Sequence, residues 1–507
     1  MRFPGIFATW PGAAHAGYAG DMPGRLARPG GDVVKSGDRD RREQALEQAR
    51  EQAGKQAGKQ AQALPRRRHG QDENMNWLKT LRTGNAPVTG AGTSGSSGTS
   101  DTAGAAAEAG PAFRPGPGLF PYYHRGLPEM TCFREIPVVP VTEAVNMVMR
   151  GGPAWPDWRG AAALRHNRSG QPVDRFPPAL PDQQVPFDTP ATWGGHCVAH
   201  FGHFIAEHGT RILQSRVAHG DKPMLFTLEP GRTAEDVPGF FWQILAWYGV
   251  SARQVRFVHQ PLRVSELWAA PMAEQWAHVP TAEGYLDLLD ANTAARGLRP
   301  RTRDVVYVTR AAMEATAEGH GAGEPYLNRA LEQLGVTVIR PEAMPLEEQL
   351  AHYQGAKLLI FAEGSAMHGR QLLGRADQTV VVLNRRPGMR IGLAALQPRV
   401  SRMLYAEATR GTASVLWPNG NPWIVRAISI YDTEVLLGVF EALGIPLSQV
   451  WDEAAYLAAR DTAIRTWIRI RFDPAQPIDH AASRRRVAEE FRALGLDHLV
   501  AELPQEG

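Results

Sequence analysis

Histidine and glutamate crowd one short stretch of this chain. His196, His200, His203 and Glu207 follow one another at intervals of three and four residues. On an α-helix that spacing puts all four on one face. Imidazoles beside a carboxylate can move a proton, and they can bind zinc. The zinc-protease pattern H-E-x-x-H is absent, because no Glu follows His196, His200 or His203. The plainer alternative is a helix whose polar face lines a cleft, its histidines only hydrogen-bonded.

A second set surrounds the loop Ala362-Glu363-Gly364-Ser365-Ala366-Met367-His368. An apolar run precedes it and a helical pattern follows. Gly364 allows a tight turn and Ser365 is a good N-cap. Free N–H groups at a helix start attract phosphate. Glu363 could act as a base or bind a ribose hydroxyl. His368 could donate to a diphosphate or serve as a base. A simple capped helix with a solvated Glu is the competing reading. Arg310 ends the run Tyr307-Val308-Thr309, with Arg329 further on, and a permanently charged, bidentate guanidinium past a strand end suits a diphosphate. Asn384-Arg385-Arg386 repeats that theme more weakly. Cys132 and Cys197 are the only cysteines, which excludes a disulfide scaffold or a Cys-rich zinc module. Cys197 could be a nucleophile beside a histidine, but a small buried thiol is the commoner role.

These groups need elements to hold them. A chain of 507 residues allows two to four domains. With 43% apolar and 21% charged residues, its bulk is that of an ordinary globular protein. Lys+Arg (55) nearly balance Asp+Glu (52), so nothing points to nucleic acid as a partner. No run of 18 apolar residues is present, so no spanning helix is predicted. Ala14-His15-Ala16 resembles a leader cleavage site, but Pro4 and Pro11 interrupt the weak apolar run before it. A cytoplasmic protein is the expectation.

Residues 1–112 combine a Gln/Ala/Arg/Glu-rich stretch with a Gly/Ser/Thr/Ala stretch. They lack the apolar area to offset ordering entropy, and a disordered tail is predicted. Met75 could be an alternative start. Residues 113–295 are read as a first Rossmann-like domain, with a strand at 136–139, a helix over 196–213, a strand at 224–228, a helix at 240–248 and a strand at 255–258. Residues 296–415 form a second such domain. Its strands are expected at 305–308, 336–339, 357–362 and 379–383, and its helices at 326–334, 346–353 and 366–373. Continuous apolar strands alternating with amphipathic helices imply a parallel sheet covered on both faces. Residues 416–507 are predicted to be mostly helical. Ligands of such sheets sit beyond the carboxyl ends of the strands, at the loops after 308 and 362.

Taken in order, four blocks resemble glycosyltransferase family 61: G-H-F-I-A-E-H-G-T-R-I-L (202–213), Y-V-T-R (307–310), E-P-Y-L-N-R-A-L-E-Q-L-G-V-T-V-I-R-P-E (324–342) and L-E-E-Q-L-A-H-Y-Q-G-A-K-L-L-I-F-A-E-G-S-A-M-H (346–368). The resemblance covers about residues 190–390. It implies a GT-B-like α/β fold, two Rossmann-like domains facing a cleft. It implies inverting transfer of a sugar from a nucleotide-sugar donor to a glycan or polysaccharide hydroxyl, in bacterial capsule or surface polysaccharide synthesis. By the same resemblance His203 and Glu207 become cleft residues of the first half, with His368 a further catalytic candidate. Arg310, Asn328, Glu363, Gly364, Ser365 and Ala366 become donor-side residues. The chain departs from the family where many relatives carry paired arginines before the Asn, and where many read G-x-H-G-A in the loop.

The chemistry agrees with the residue types. Inverting transfer needs a base for the acceptor hydroxyl, for which His203 or Glu207 would serve. It also needs positive charge for the departing diphosphate, for which Arg310 and the 364–366 amides would serve. No D-x-D pair follows a strand, so no metal site and no obligatory divalent cation or other cofactor is expected. Two other readings stand beside this one: a metal-dependent hydrolase built on the His196–Glu207 helix, and a catalytically degenerate protein that binds nucleotide or glycan.

Overall fold

The computed structural model describes residues 126–504 except Pro128, Pro178 and residues 276–278. The tail expected over residues 1–112 lies outside the described residues. Among those described, no helix is long and apolar enough to cross a membrane.

The first half is built on a seven-stranded sheet. Its strands are β1 (Thr131–Val145), β2 (Val148–Pro153), β3 (Val185–Phe187), β4 (Ala191–Cys197), β5 (Met224–Leu228), β6 (Val255–Phe257) and β7 (Leu262–Ala269). The order is β2-β1-β7-β4-β5-β6, with β3 also on β7. Strands β4, β5 and β6 run parallel to one another, and β3 and β4 run parallel to β7. The sheet is mixed rather than wholly parallel, because β1 joins β2 and β7 antiparallel. Strand β5 (MLFTL) is buried at every position, as an apolar strand covered on both faces must be. Helices α1 (Ile212–Ala218), α2 (Gly239–Trp247) and α3 (Glu283–Ala295) accompany this sheet.

The single helix expected over 196–213 is not what forms. Residues 191–197 are strand β4, Phe201–His203 is one helical turn, Phe204–His208 is a π-helical turn, and α1 begins only at Ile212. The apolar spacing is helical, but His196 and Cys197 are claimed by pairing with β5. The His196 ring bonds the Thr227 hydroxyl on β5 at 2.6 Å. His196 therefore does not share a helix face with His200, His203 and Glu207, and the zinc-binding helix imagined over 196–207 does not exist.

The second half matches its expectation closely. Strands β8 (Arg303–Val308), β9 (Thr337–Ile339), β10 (Ala356–Ala362), β11 (Ala376–Leu383) and β12 (Val400–Ala406) form a parallel sheet in the order β9-β8-β10-β11-β12. Helices α4 (Glu324–Gln333) and α5 (Leu346–Gly355) connect its first strands. The segment Ser365–Leu372 winds as a 3₁₀ helix.

The two sheets share one apolar core, which runs from Phe204, Phe226 and Phe241 through Tyr285 to Leu350, Phe361 and Leu372. Across it the Trp247 indole donates to the Leu372 carbonyl at 2.9 Å, and the Leu346 amide donates to Gln243 Oε1 at 2.7 Å. Beyond the second sheet, strands β13 (Thr409–Ala413) and β14 (Ile428–Tyr431) and helices α6 (Thr433–Ala442), α7 (Glu453–Arg471) and α8 (His480–Ala493) follow. A separate core forms there around Trp467, Val487 and Phe491. Within residues 416–507 helices dominate, and strand β14 lies among them.

Candidate active site

Glu207 lies on the π-helical turn and is fully buried. An ionised carboxylate in such a place needs donors on both oxygens. Its Oε2 accepts from His166 Nε2 at 2.5 Å and from Arg168 Nε at 2.7 Å. Its Oε1 accepts from His203 Nδ1, one helical turn earlier, and more distantly from Arg168 at 3.4 Å. Burial alone would raise this carboxyl, but the bonds from His166 and His203 outweigh it and hold Glu207 well below the usual carboxylate range. Glu207 is therefore the fixed negative charge of the site.

The elements around it explain its placement. Residues Asn146 and Met147, both left-handed, turn the chain between β1 and β2. The Asn146 carbonyl accepts from Arg168 at 2.8 Å, and the Met147 carbonyl accepts from His208 Nε2 at 3.0 Å. The hairpin tip thus fixes two neighbours of Glu207. Gly195 (φ +110°) in β4 lets the strand pass the π-turn, since a Cβ there would stand 2.6 Å from the His208 carbonyl oxygen. His200 caps the first helical turn, its ring accepting from the His203 amide at 3.2 Å.

The two halves meet at this turn. A Cβ on Gly202 would lie 3.1 Å from His368 Cδ2 and 3.2 Å from Ser365 Oγ. His203 and Glu207 of the first half thus come beside Ser365 and His368 of the second, although the chain separates them widely. Burial keeps the His368 imidazole neutral by lowering its pKa, and its bond to Gln371 only partly opposes this. Its Nδ1 donates to Gln371 Oε1 at 2.5 Å, which leaves Nε2 as an acceptor. Gln371 in turn donates to buried Glu274 at 2.7 Å, and Glu274 pairs with buried Arg399.

Of the donor-side candidates, Arg310 lies at the carboxyl end of β8 and Glu363–Ala366 at that of β10, while Arg385 and Arg386 follow β11. Arg310 stretches across Gly364, where a Cβ would stand 2.0 Å from its Nη1. The guanidinium also grips the Gly319 carbonyl through Nε at 3.0 Å and Nη2 at 2.8 Å. Its Nη1 therefore lies against the loop whose amides open Ser365–Leu372. Ser365 and Ala366 are half-buried there. Glu363 is buried, and its oxygens are taken: Oε2 accepts the Arg385 and Arg386 amides at 2.9 and 2.8 Å, and Oε1 accepts Arg386 Nε at 2.7 Å. In this state Glu363 orients the Arg385-Arg386 pair. Asn328 is buried on α4, one turn after Glu324, whose carboxylate accepts the Arg310 amide at 2.6 Å. No bond joins Asn328 to Arg310 or Glu363 among the described residues, and its Oδ1 has no partner there.

His166, Glu207 and His208 each present a ligand atom within 4.8 Å of the others, and could in principle hold a metal. The donor set does not fit one well. Arg168 already donates to Glu207, and a cation at that carboxylate would face a permanent positive charge. Cys197 is buried, and burial pushes its thiol pKa up, which disfavours the nucleophilic thiolate. Sequence reasoning did not find His166, Arg168 or Glu324. Glu324 stands within the third family-like block, so a signal for it existed. His166 and Arg168 sit in a stretch without periodicity and carry none.

Residues 201–382 match the family model described as Glycosyltransferase 61. No curated protein matches the sequence.

Proposed function

We propose that this transferase, whose residues 201–382 match the glycosyltransferase 61 family model, carries out inverting transfer from a nucleotide sugar to a hydroxyl of a glycan or polysaccharide. The observation that carries this reading is the meeting of the His203–Glu207 pair with the Ser365–His368 turn beside Arg310. We read the two halves as a GT-B-like pair, with the donor on the second and the acceptor approaching from the first, in the cytoplasm.

In this mechanism the acceptor hydroxyl oxygen attacks the anomeric carbon while the bond from that carbon to the diphosphate oxygen breaks. The hydroxyl proton passes to His203 Nε2. Glu207, ionised and bonded to His203 Nδ1, orients the ring and balances the imidazolium that forms. Negative charge grows on the leaving diphosphate. Arg310 and the amides that open Ser365–Leu372 are the groups that meet it. Neutral His368, with Nε2 as an acceptor, can orient a donor or acceptor hydroxyl. Glu363 acts indirectly by holding Arg385 and Arg386. No divalent cation has a role in this scheme.

The test uses the full chain, a panel of nucleotide sugars and excess EDTA, with thermal shift and release of free nucleotide as readouts. One donor should raise the melting temperature and be turned over. Glu207→Gln should keep the thermal shift and lose about 10²-fold or more of the turnover. Binding without turnover in the wild type would favour the degenerate protein. Activity lost in EDTA and restored by manganese would overturn the metal-free scheme.

A further inference from the structure

We propose that His166 and Arg168, which lie outside the 201–382 match, are positioning residues for the proposed base: together they fix the Glu207 carboxylate so that it orients His203. The inference rests on the transferase reading of the site. A carboxylate held by one imidazole alone can rotate about its last bond. Here both oxygens are engaged. His166 Nε2 and Arg168 Nε hold Oε2 at 2.5 and 2.7 Å, while His203 takes Oε1. Only one of these two imidazoles can be the base. His166 is buried, 4% exposed, whereas the His203 side chain is 28% exposed and stands on the turn that touches Ser365 and His368. Among the described residues His166 Nδ1 has no hydrogen-bond partner, and the ring lines a pocket with Trp155, Trp193, His196 and His208 on the first-half side. His203 thus addresses the donor half, and His166 supports the carboxylate from behind.

Arg168 adds charge balance. Glu207 is a buried anion, and Arg168 is the guanidinium bonded to it. His166, His203 and His208 also face that carboxylate, with His200 and His368 near His203. Without the guanidinium, the anion would attract a proton onto an imidazole beside it. A protonated His203 cannot accept the hydroxyl proton. Arg168 is anchored independently by the Asn146 carbonyl at 2.8 Å, so its place does not depend on Glu207 alone.

The experiment compares Arg168→Gln, Arg168→Lys, His166→Gln and Glu207→Gln in the full chain. It uses the nucleotide sugar that raises the wild-type melting temperature, and turnover is followed from about pH 5 to 9. Arg168→Gln should lower kcat about tenfold or more near neutrality with donor KM within about twofold, and should move the acidic limb of the profile to higher pH. Arg168→Lys should return the limb toward the wild type. His166→Gln should lower kcat with little change in KM. If both Gln variants keep wild-type kcat and limb while Glu207→Gln is inactive, the inference falls and the transferase reading stands. If they lose turnover equally at every pH with raised KM, their role is only structural and the inference also falls. If Glu207→Gln itself keeps wild-type turnover, the reading of the site has failed first.

Discussion

Glu207 keeps its charge in the interior because both of its oxygens find donors, from His203 one turn earlier and from His166 and Arg168, which lie 41 and 39 residues upstream. Replacing it by Gln leaves the shape and removes the charge, so His203 loses its orienting partner while donor binding survives. His196 makes a separate prediction about acid. Burial, with His166 and Arg211 adding to it, lowers its pKa from 6.5 to about 3. Between those values the unfolded chain takes up a proton that the folded chain refuses. Stability from this group is therefore present above pH 6.5 and lost as the pH falls toward about 3. Across the whole window the loss would reach a few kcal/mol. Melting temperatures of wild type and His196→Gln, compared from pH 6.5 down to 4.5, should show a shallower slope in the variant. Parallel curves would contradict a neutral buried His196. Stopping at pH 4.5 avoids the range in which Glu207, whose carboxyl is held low, begins to add its own acid-linked loss.

Two glycines set the elements on which these side chains ride. Gly364 has an extended backbone that any residue adopts, so an alanine there is unfavourable only through its Cβ, 2.0 Å from Arg310 Nη1. The guanidinium end can move aside. Gly364→Ala should cost little stability, about 1 kcal/mol, but should displace Arg310 and abolish the donor-induced thermal shift. A variant that keeps the shift would remove Arg310 from the donor site. Gly195 differs, because it combines a φ of +110° with a Cβ position 2.6 Å from a carbonyl oxygen of the π-turn. Backbone cannot step aside as a side chain can. Gly195→Ala should destabilise by about 3 kcal/mol, read as a lower urea midpoint, and should misplace His208 and Glu207 together.

At the scale of the whole molecule, the halves are joined by buried polar bonds as well as by apolar contact. Arg399 and Glu274 are both buried and pair with each other, and Arg399 also donates to Thr281 at 2.8 Å. Removing one partner strands a charge. Glu274→Ala should cost about 3–5 kcal/mol, whereas replacing both residues with Met should cost clearly less. Equal losses would show that packing, not the unpaired charge, dominates. The region after β12 braces the donor side. Arg471 donates to the Thr316 carbonyl at 2.8 Å, and Arg426 pairs with Glu318 at 3.1 Å, so both hold the loop whose Gly319 carbonyl grips Arg310.

Local order was legible where one short window contained all the information. Strands β8, β10 and β11 and helices α4 and α5 follow from continuous apolar runs alternating with a 3.6-residue pattern. The His203–Glu207 contact is a helical neighbour relation, and it is readable from spacing alone. So is the glycine loop after β10. The stretch 196–213 shows the limit. Its apolar spacing suits a helix, yet strand pairing with β5, distant in sequence, took its first residues. The contacts that finish the site span similar distances: His166 reaches Glu207 across 41 residues and Arg168 across 39. Neither has a periodic neighbour to announce it. Which segments alternate, which loop carries a glycine turn before a helical pattern and which imidazole sits one turn from a carboxylate are all readable in short windows of residues. That this carboxylate is buried, which groups neutralise it and which turn of the second half it faces come from the packing of distant segments. Periodicity records each element's own burial, whereas charge pairing between elements is set by how they pack.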